Sequence, residues 1–229
     1  METRYNVVEI FDSIEGEGKR SGTLASFVRF AGCNLRCNYC DTTYALLGEE
    51  EPCRYESMTK AEVLERMVRK QVTLTGGEPL LQRDISVLIR ELITSGHEVN
   101  IETNGAVDIR PYRMEEQTEQ LFFTIDYKLP SSGMEHKMFK ENFQSLRSYD
   151  VVKFVIGSSD DETKTLEIAK WLKDYYDKNN CPQIFIGSVS GKWSNENIVE
   201  MMKRNPILEE SHLQVQLHKV VWDVNRRGV

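Results

Sequence analysis

Cys33, Cys37 and Cys40 stand in the run Ala31-Gly32-Cys33-Asn34-Leu35-Arg36-Cys37-Asn38-Tyr39-Cys40-Asp41-Thr42, a C-x3-C-x2-C spacing. A [4Fe–4S] cube takes four ligands, and most cluster proteins supply four thiolates. Three thiolates this close leave one iron open to a small molecule. Structural zinc asks for four ligands in closed tetrahedral geometry, usually as two short pairs. Only Cys53 and Cys181 remain and neither forms a pair, so zinc would need a distant histidine. A disulfide scaffold needs an oxidising compartment and usually a small domain. No apolar signal segment opens this chain, and 229 residues can build a real core.

The composition frames that chemistry. Apolar residues make up 40% and charged residues 28%, which is globular, and no apolar run approaches the width of a bilayer. The net charge of −7 argues against a nucleic-acid backbone as the main partner. Oxygen damages a three-thiolate cluster, so a reducing cytoplasm is the expected location. The length fits one domain, residues 1–229, with the cysteine loop near 31–47.

The elements that must position this loop alternate between strand and helix. Residues 24–30, 72–75, 98–102, 121–126, 151–156, 183–187 and 213–217 read as strands. Residues 151–156 are almost continuously apolar, as in a strand covered on both faces. Helical spacing appears at Ile85, Leu88, Ile89 and Leu92, and again at Leu166, Ala169 and Leu172. Thr59-Lys60-Ala61-Glu62 is a capping box, with Met58 and Val63 set for a hydrophobic staple. Residues 106–120 are polar and weakly periodic, as in an irregular or short helix. Alternation of this kind implies a parallel sheet, open or curled into a partial barrel. Gly-rich or polar residues follow strand after strand: the cysteine loop, Gly76-Gly77-Glu78-Pro79, Thr103-Asn104-Gly105, Lys128-Leu129-Pro130 and His218-Lys219. In α/β barrels the site lies at the carboxyl ends of the strands, so these loops are expected on one face.

The cysteine spacing resembles that of the radical S-adenosylmethionine (SAM) superfamily. There, SAM chelates the open iron and is cleaved by one electron to a hydrogen-abstracting 5′-deoxyadenosyl radical. From residue 8 to the end the chain further resembles one family, the 7-carboxy-7-deazaguanine synthases. The likeness rests on Ile14-Glu15-Gly16-Glu17-Gly18, Phe27-Val28-Arg29, Cys40-Asp41-Thr42, Thr75-Gly76-Gly77-Glu78-Pro79, Glu102-Thr103-Asn104-Gly105, Asp126-Tyr127-Lys128, Gln216-Leu217-His218-Lys219 and the tail Arg226-Arg227-Gly228-Val229. The chain departs from the pattern at Glu15, where many members have Gln. It departs again at Asp126-Tyr127-Lys128, where Ser-Pro-Lys is usual.

The resemblance implies a partial, TIM-like parallel β/α barrel of the radical SAM type. It implies a lyase that converts 6-carboxy-5,6,7,8-tetrahydropterin to 7-carboxy-7-deazaguanine and ammonia by radical ring contraction, on the way to queuosine and related deazapurines. It implies a [4Fe–4S] cluster on Cys33, Cys37 and Cys40, SAM, and Mg²⁺ on Thr42, a hard oxygen donor of the kind Mg²⁺ takes beside water and substrate oxygens. Cofactor contacts fall to Tyr39, Asp41, Gly76, Gly77, Glu78, Thr103, Asn104 and Lys128. The two glycines would let backbone approach the amino group of SAM, and Glu78 would accept from it. Substrate contacts fall to Ile14, Glu15, Gly16, Arg29, Thr75 and Val229, with Arg29 pairing the substrate carboxylate. A flavodoxin or ferredoxin-type electron donor and a homodimer are also implied. Two rival readings are a glycyl-radical-enzyme activase, which uses the same cluster on a protein substrate, and a non-enzymatic zinc- or cluster-binding interaction module.

Overall fold

The computed structural model describes residues 2–47, 53–113, 119–223 and 226–229. Strand β1 (Arg4–Ile14) runs antiparallel to β2 (Leu24–Phe30) and to the short β3 (Glu56–Thr59). From β2 onward every added strand is parallel to its neighbour: β4 (Gln71–Gly76), β5 (Glu98–Thr103), β6 (Leu121–Asp126), β7 (Val151–Ile156), β8 (Gln183–Ser188) and β9 (His212–Leu213). The order is β3-β1-β2-β4-β5-β6-β7-β8-β9 in one open sheet. Six helices accompany it: α1 (Lys60–Glu65), α2 (Ile85–Thr94), α3 (Lys140–Gln144), α4 (Ser159–Tyr175), α5 (Asn195–Arg204) and α6 (Leu217–Val221).

The sheet curls. The segment after β1 reaches strands at the far edge: Gly18 N–H donates to the Gln214 side chain at 2.8 Å, and Lys153 on β7 meets Glu17 at 2.6 Å. Leu217 N–H also donates to the Gly16 carbonyl at 3.1 Å. The first and last parts of the chain thus close the wall of a partial barrel without sheet pairing.

Period-2 alternation decides what the two faces of the sheet hold. Val72, Leu74, Val99, Ile101, Phe123, Ile125, Val152, Phe154 and Ile156 belong to the buried core. Helices contribute Ile85, Leu88, Ile89 and Leu92 from α2, Ile168, Ala169 and Leu172 from α4, and Ile198 and Met201 from α5. The intervening positions Thr75, Glu102, Thr124, Asp126 and Lys153 face the inside of the barrel.

The capping box forms at α1: Glu62 N–H donates to Thr59 Oγ1 at 3.2 Å, and Thr59 N–H to the Glu62 carboxylate at 2.6 Å. Met58 and Val63 are both fully buried beside it. The expected strands through residue 188 form at nearly the expected bounds. Three departures stand out. The strand expected over 213–217 is only a two-residue pairing, His212–Leu213, because Gln214 and Gln216 turn away to bond Gly18 and Glu17. Strand β1 escapes a period-2 reading because its register slips between Val7 and Glu9. Lys153 interrupts the apolar run of β7 and, with Val155, lines the cavity, so covering by helices holds on one face only. Within 106–120, a single 3₁₀ turn forms at Arg110–Tyr112, and residues 114–118 lie outside the described residues.

Candidate active site

The carboxyl ends of the parallel strands open onto one cavity of about 770 Å³. Its mouth is the cysteine loop and its depth is the polar interior of the barrel. It gathers Cys33, Cys37, Tyr39, Cys40, Asp41, Thr42, Gly76, Gly77, Thr103, Asn104 and Lys128 with Ile14, Glu15, Gly16, Arg29, Thr75 and Val229. Of the residues singled out from the sequence, Glu78 alone stands outside that lining.

Glu78 is fully buried and its carboxylate is already engaged. It accepts from Thr103 Oγ1 at 2.9 Å, from Asn104 N–H at 2.8 Å and from Leu80 N–H at 3.1 Å. Burial pushes its carboxyl up to about 7, against the pull of those hydrogen bonds. The sequence expectation places Glu78 at the amino group of SAM; here its carboxylate faces Thr103, Asn104 and Leu80. It joins the end of β4 to the end of β5 and so fixes Asn104. Asn104 in turn donates from Nδ2 to Asn34 at 2.8 Å and to Cys33 Sγ at 3.5 Å.

The two glycines line the cavity, but a second demand explains their identity. A Cβ on Gly77 would stand 2.2 Å from the Gly32 carbonyl oxygen, and one on Gly76 would stand 2.4 Å from that of Phe30. The backbone hydrogen bonds Gly77 N–H to Phe30 O at 3.0 Å and Glu78 N–H to Gly32 O at 2.8 Å weld the two loops together. The entry of the cysteine loop thus lies directly on the end of β4.

The three thiols face the cavity from this platform and no disulfide joins them. Burial raises Cys33 and Cys37 above the ordinary thiol value. Leu35 N–H reaches Cys33 Sγ at 3.4 Å, a donor suited to a thiolate. Among the described residues no three His, Cys, Asp or Glu side chains converge as ligands of a single ion. A cube that spreads its ligands over separate irons suits this donor set better than a mononuclear zinc site does. Cys53 and Cys181 lie outside the cavity.

Thr42 precedes the 3₁₀ turn Thr43–Ala45, yet its side chain caps nothing. Its hydroxyl donates to Asp41 at 3.0 Å. Burial raises Asp41, but Lys219 at 3.3 Å and the Thr42 hydroxyl outweigh it and hold the carboxylate low. Opposite, burial works against the charge of Lys128, and Asp126 at 2.7 Å more than restores it. Lys153 behaves alike, held between Glu17 at 2.6 Å and Asp126 at 3.2 Å. Gln216 donates to the second oxygen of Glu17 at 2.5 Å.

Arg29 gives its Nε to Glu9 at 2.7 Å, and Glu9 also accepts from the Tyr44 hydroxyl at 2.9 Å. The tail returns here: Arg227 stacks over Tyr44 at 4.0 Å, and Gly228 and Val229 line the same wall. Deeper in, Thr75 Oγ1 donates to Glu102 at 2.7 Å, and the Thr73 hydroxyl donates to Glu15. His218 covers Gly16, where a Cβ would meet Nδ1 at 2.5 Å. Burial lowers the His218 ring below the ordinary histidine value.

Sequence reading missed the inner-face polar set: Glu102, Thr124, Asp126 and Lys153, together with Glu17, Ser188 and Gln216. A signal was present. Polar residues recur at alternate positions, Asn100 and Glu102 in β5 and Thr124 and Asp126 in β6, and Lys153 stands alone in the apolar run of β7.

Comparisons with known proteins agree with this arrangement. Residues 27–204 match the model of the Radical SAM superfamily. A 7-carboxy-7-deazaguanine synthase of Clostridium acetobutylicum is 44% identical over 229 residues, spanning 98% of this chain and 99% of the relative. One from Leptospira interrogans is 35% identical, spanning 99% and 98%. The crystal structure of QueE from Escherichia coli shares the fold with a TM-score of 0.72 at 22% identity, over 92% of each chain. A chain with these thiols on this barrel and these relatives belongs to the 7-carboxy-7-deazaguanine synthase family of the radical SAM superfamily.

Proposed function

We propose that the chain converts 6-carboxy-5,6,7,8-tetrahydropterin to 7-carboxy-7-deazaguanine and ammonia, with the cavity as the site of reaction. One observation carries the reading: three thiols at the mouth and a carboxylate- and amide-rich barrel interior share a single enclosed space. The mouth suits a cluster, and the depth suits a small polar heterocycle.

Cys33, Cys37 and Cys40 hold the [4Fe–4S] cluster in this reading. Bound there with SAM, the cluster supplies a one-electron cleavage whose product takes a hydrogen atom from substrate. The chain's own residues orient the two small molecules. Gly76, Gly77, Thr103 and Asn104 offer backbone and short side chains beside the thiols. Tyr39 and Asp41 from the cysteine loop and Lys128 from the end of β6 border the same space. Arg29 is oriented through Nε by Glu9, which leaves the rest of the guanidinium for the substrate carboxylate. Thr42, with no capping duty, supplies a hydroxyl to Mg²⁺ near that carboxylate. Ile14, Glu15, Gly16 and Thr75 take the ring, and the Val229 carboxylate closes over it. The tail excludes water from the radical step.

The activase reading needs an open groove for a protein loop. The tail at residues 226–229 and the segment 15–17 instead bound this cavity on two sides, which favours a small substrate. A flavodoxin or ferredoxin-type donor, a homodimer and a cytoplasmic location complete the reading. Among the described residues no helix is long and apolar enough to cross a membrane.

The test is an anaerobic assay of the reconstituted protein with SAM, Mg²⁺, reductant and the pterin, read by mass for the deazapurine. Product is expected from the wild type and from Cys53→Ser and Cys181→Ser, and none from Cys37→Ala. Cleavage of SAM without deazapurine would refute the substrate, and a loaded cluster that cleaves nothing would refute the enzyme.

A further inference from the structure

Glu15 and Glu102 form a buried carboxyl pair at the bottom of the cavity. Thr73 and Thr75, two residues apart on one face of β4, each donate a hydroxyl to one of them: Thr73 to Glu15 Oε1 and Thr75 to Glu102 Oε2 at 2.7 Å. Glu15 is 1% exposed. A buried carboxylate is costly unless a cation faces it. The cations around this pair are committed elsewhere. Arg20, from the turn after Gly18, is spent on the Glu98 carbonyl at 3.1 Å and carboxylate at 3.4 Å. Lys153, from β7, is paired with Glu17 and Asp126. Glu17, in the same segment as Glu15, adds a further negative charge, and burial disfavours a proton on His218 over Gly16.

We infer that Glu15 is held as a neutral carboxylic acid beside Glu102, so that this position is a hydrogen-bond donor to the bound heterocycle. Burial raises Glu102 as well, but the charge of Lys153 pulls it the other way, whereas Lys153 gives Glu15 no such help, which favours the proton on Glu15. Glu15 Oε1 is occupied by Thr73, which leaves the hydroxyl on Oε2. A neutral acid offers one donor and one acceptor, as an amide does, and meets a lactam edge that a carboxylate would repel. Glu102, with Oε2 taken by Thr75, has its other oxygen for the N–H groups of the ring. Burial first, then the Glu102 charge, push the Glu15 carboxyl up to about 8. The role as ring donor rests on the pterin reading above; the protonation does not.

Two measurements on the full chain test it. The first is denaturant unfolding of the wild type and of Glu15→Gln between pH 5 and 8. A proton kept in the fold but lost on unfolding makes the wild type fall behind as pH rises. The variant's advantage in the folded-to-unfolded ratio is expected to grow by up to about tenfold per pH unit. An advantage that is constant or shrinks with pH overturns the inference. Infrared difference spectra of the folded wild type at pH 7 supply a second readout: a protonated carboxyl stretch absent from Glu15→Gln is expected, and its absence from both overturns the inference. Binding of 6-carboxypterin as probe then tests the donor role. Relative to Glu15→Gln, wild-type affinity is expected to weaken about tenfold per unit above pH 8, the probe's own titration being common to both; parallel profiles overturn that role. If neither protein binds the probe, the pterin reading fails while the unfolding and infrared results still decide the proton.

Discussion

Gly77 lies against Gly32 so closely that a side chain at Gly77 would place its Cβ 2.2 Å from the Gly32 carbonyl oxygen. The contact joins the end of β4 to the entry of the cysteine loop one residue before Cys33. Backbone rather than a flexible side chain occupies the space, so nothing can yield cheaply. Gly77→Ala is expected to cost about 1–3 kcal/mol of stability and to lower the iron bound per chain after reconstitution. Unfolding curves and iron analysis check both; full stability with full iron would show that the loops can separate without loss.

Glu78 acts one layer behind the thiols. Removing its carboxylate orphans Asn104 N–H, Leu80 N–H and the Thr103 hydroxyl. Each buried unpaired group costs about 1–3 kcal/mol. Glu78→Ala is expected to lose at least about 3 kcal/mol in the protein without cluster or cofactor, and Glu78→Gln less, because the amide oxygen can still accept. A loss confined to the loaded enzyme would instead indicate direct contact with the cofactor.

Lys153 neutralises Glu17 and Asp126 inside the barrel. Breaking a buried pair leaves an uncompensated charge, at about 3–5 kcal/mol. Lys153→Met is expected to lose that much at neutral pH. Adding Glu17→Gln should recover part of it, since the charge orphaned by the loss of Lys153 is then gone, while Asp126 keeps Lys128. Equal instability of the single and the double variant in urea would disprove the pairing account.

Thr42 caps no turn, and its hydroxyl donates to the adjacent Asp41. Outer-shell partners of a metal already change affinity about 10–100-fold, so loss of a direct ligand should do at least as much. Thr42→Ala is expected to raise the Mg²⁺ concentration for half-maximal turnover at least about tenfold, while Thr42→Ser stays near wild type. Iron content should be equal in both. An unchanged Mg²⁺ profile in Thr42→Ala would remove the residue from the metal site.

The cysteine spacing, the capping box at Thr59 and Glu62, and strands β2 and β4 to β8 were legible in the chain because each is set by neighbours in sequence. A thiol spacing, a hydroxyl three residues before a carboxylate, and a bounded apolar run carry their meaning locally. The loops after successive parallel strands could also be assigned to one face, since chain direction alone puts them there. Tertiary structure decided the rest. Whether Glu78 meets a ligand or the β5 loop depends on how far β4 stands from β5. Which side of β5, β6 and β7 is the inside of the barrel depends on the curl, and with it the roles of Glu102, Asp126 and Lys153. The short β9 and the return of the tail depend on side chains some two hundred residues away, through Gln214 on Gly18 and Gln216 on Glu17. The protonation of Glu15 is of the same kind. Its sequence neighbours, Gly16 and Glu17, do not bury it; closing the barrel around it, with another carboxylate for company, does.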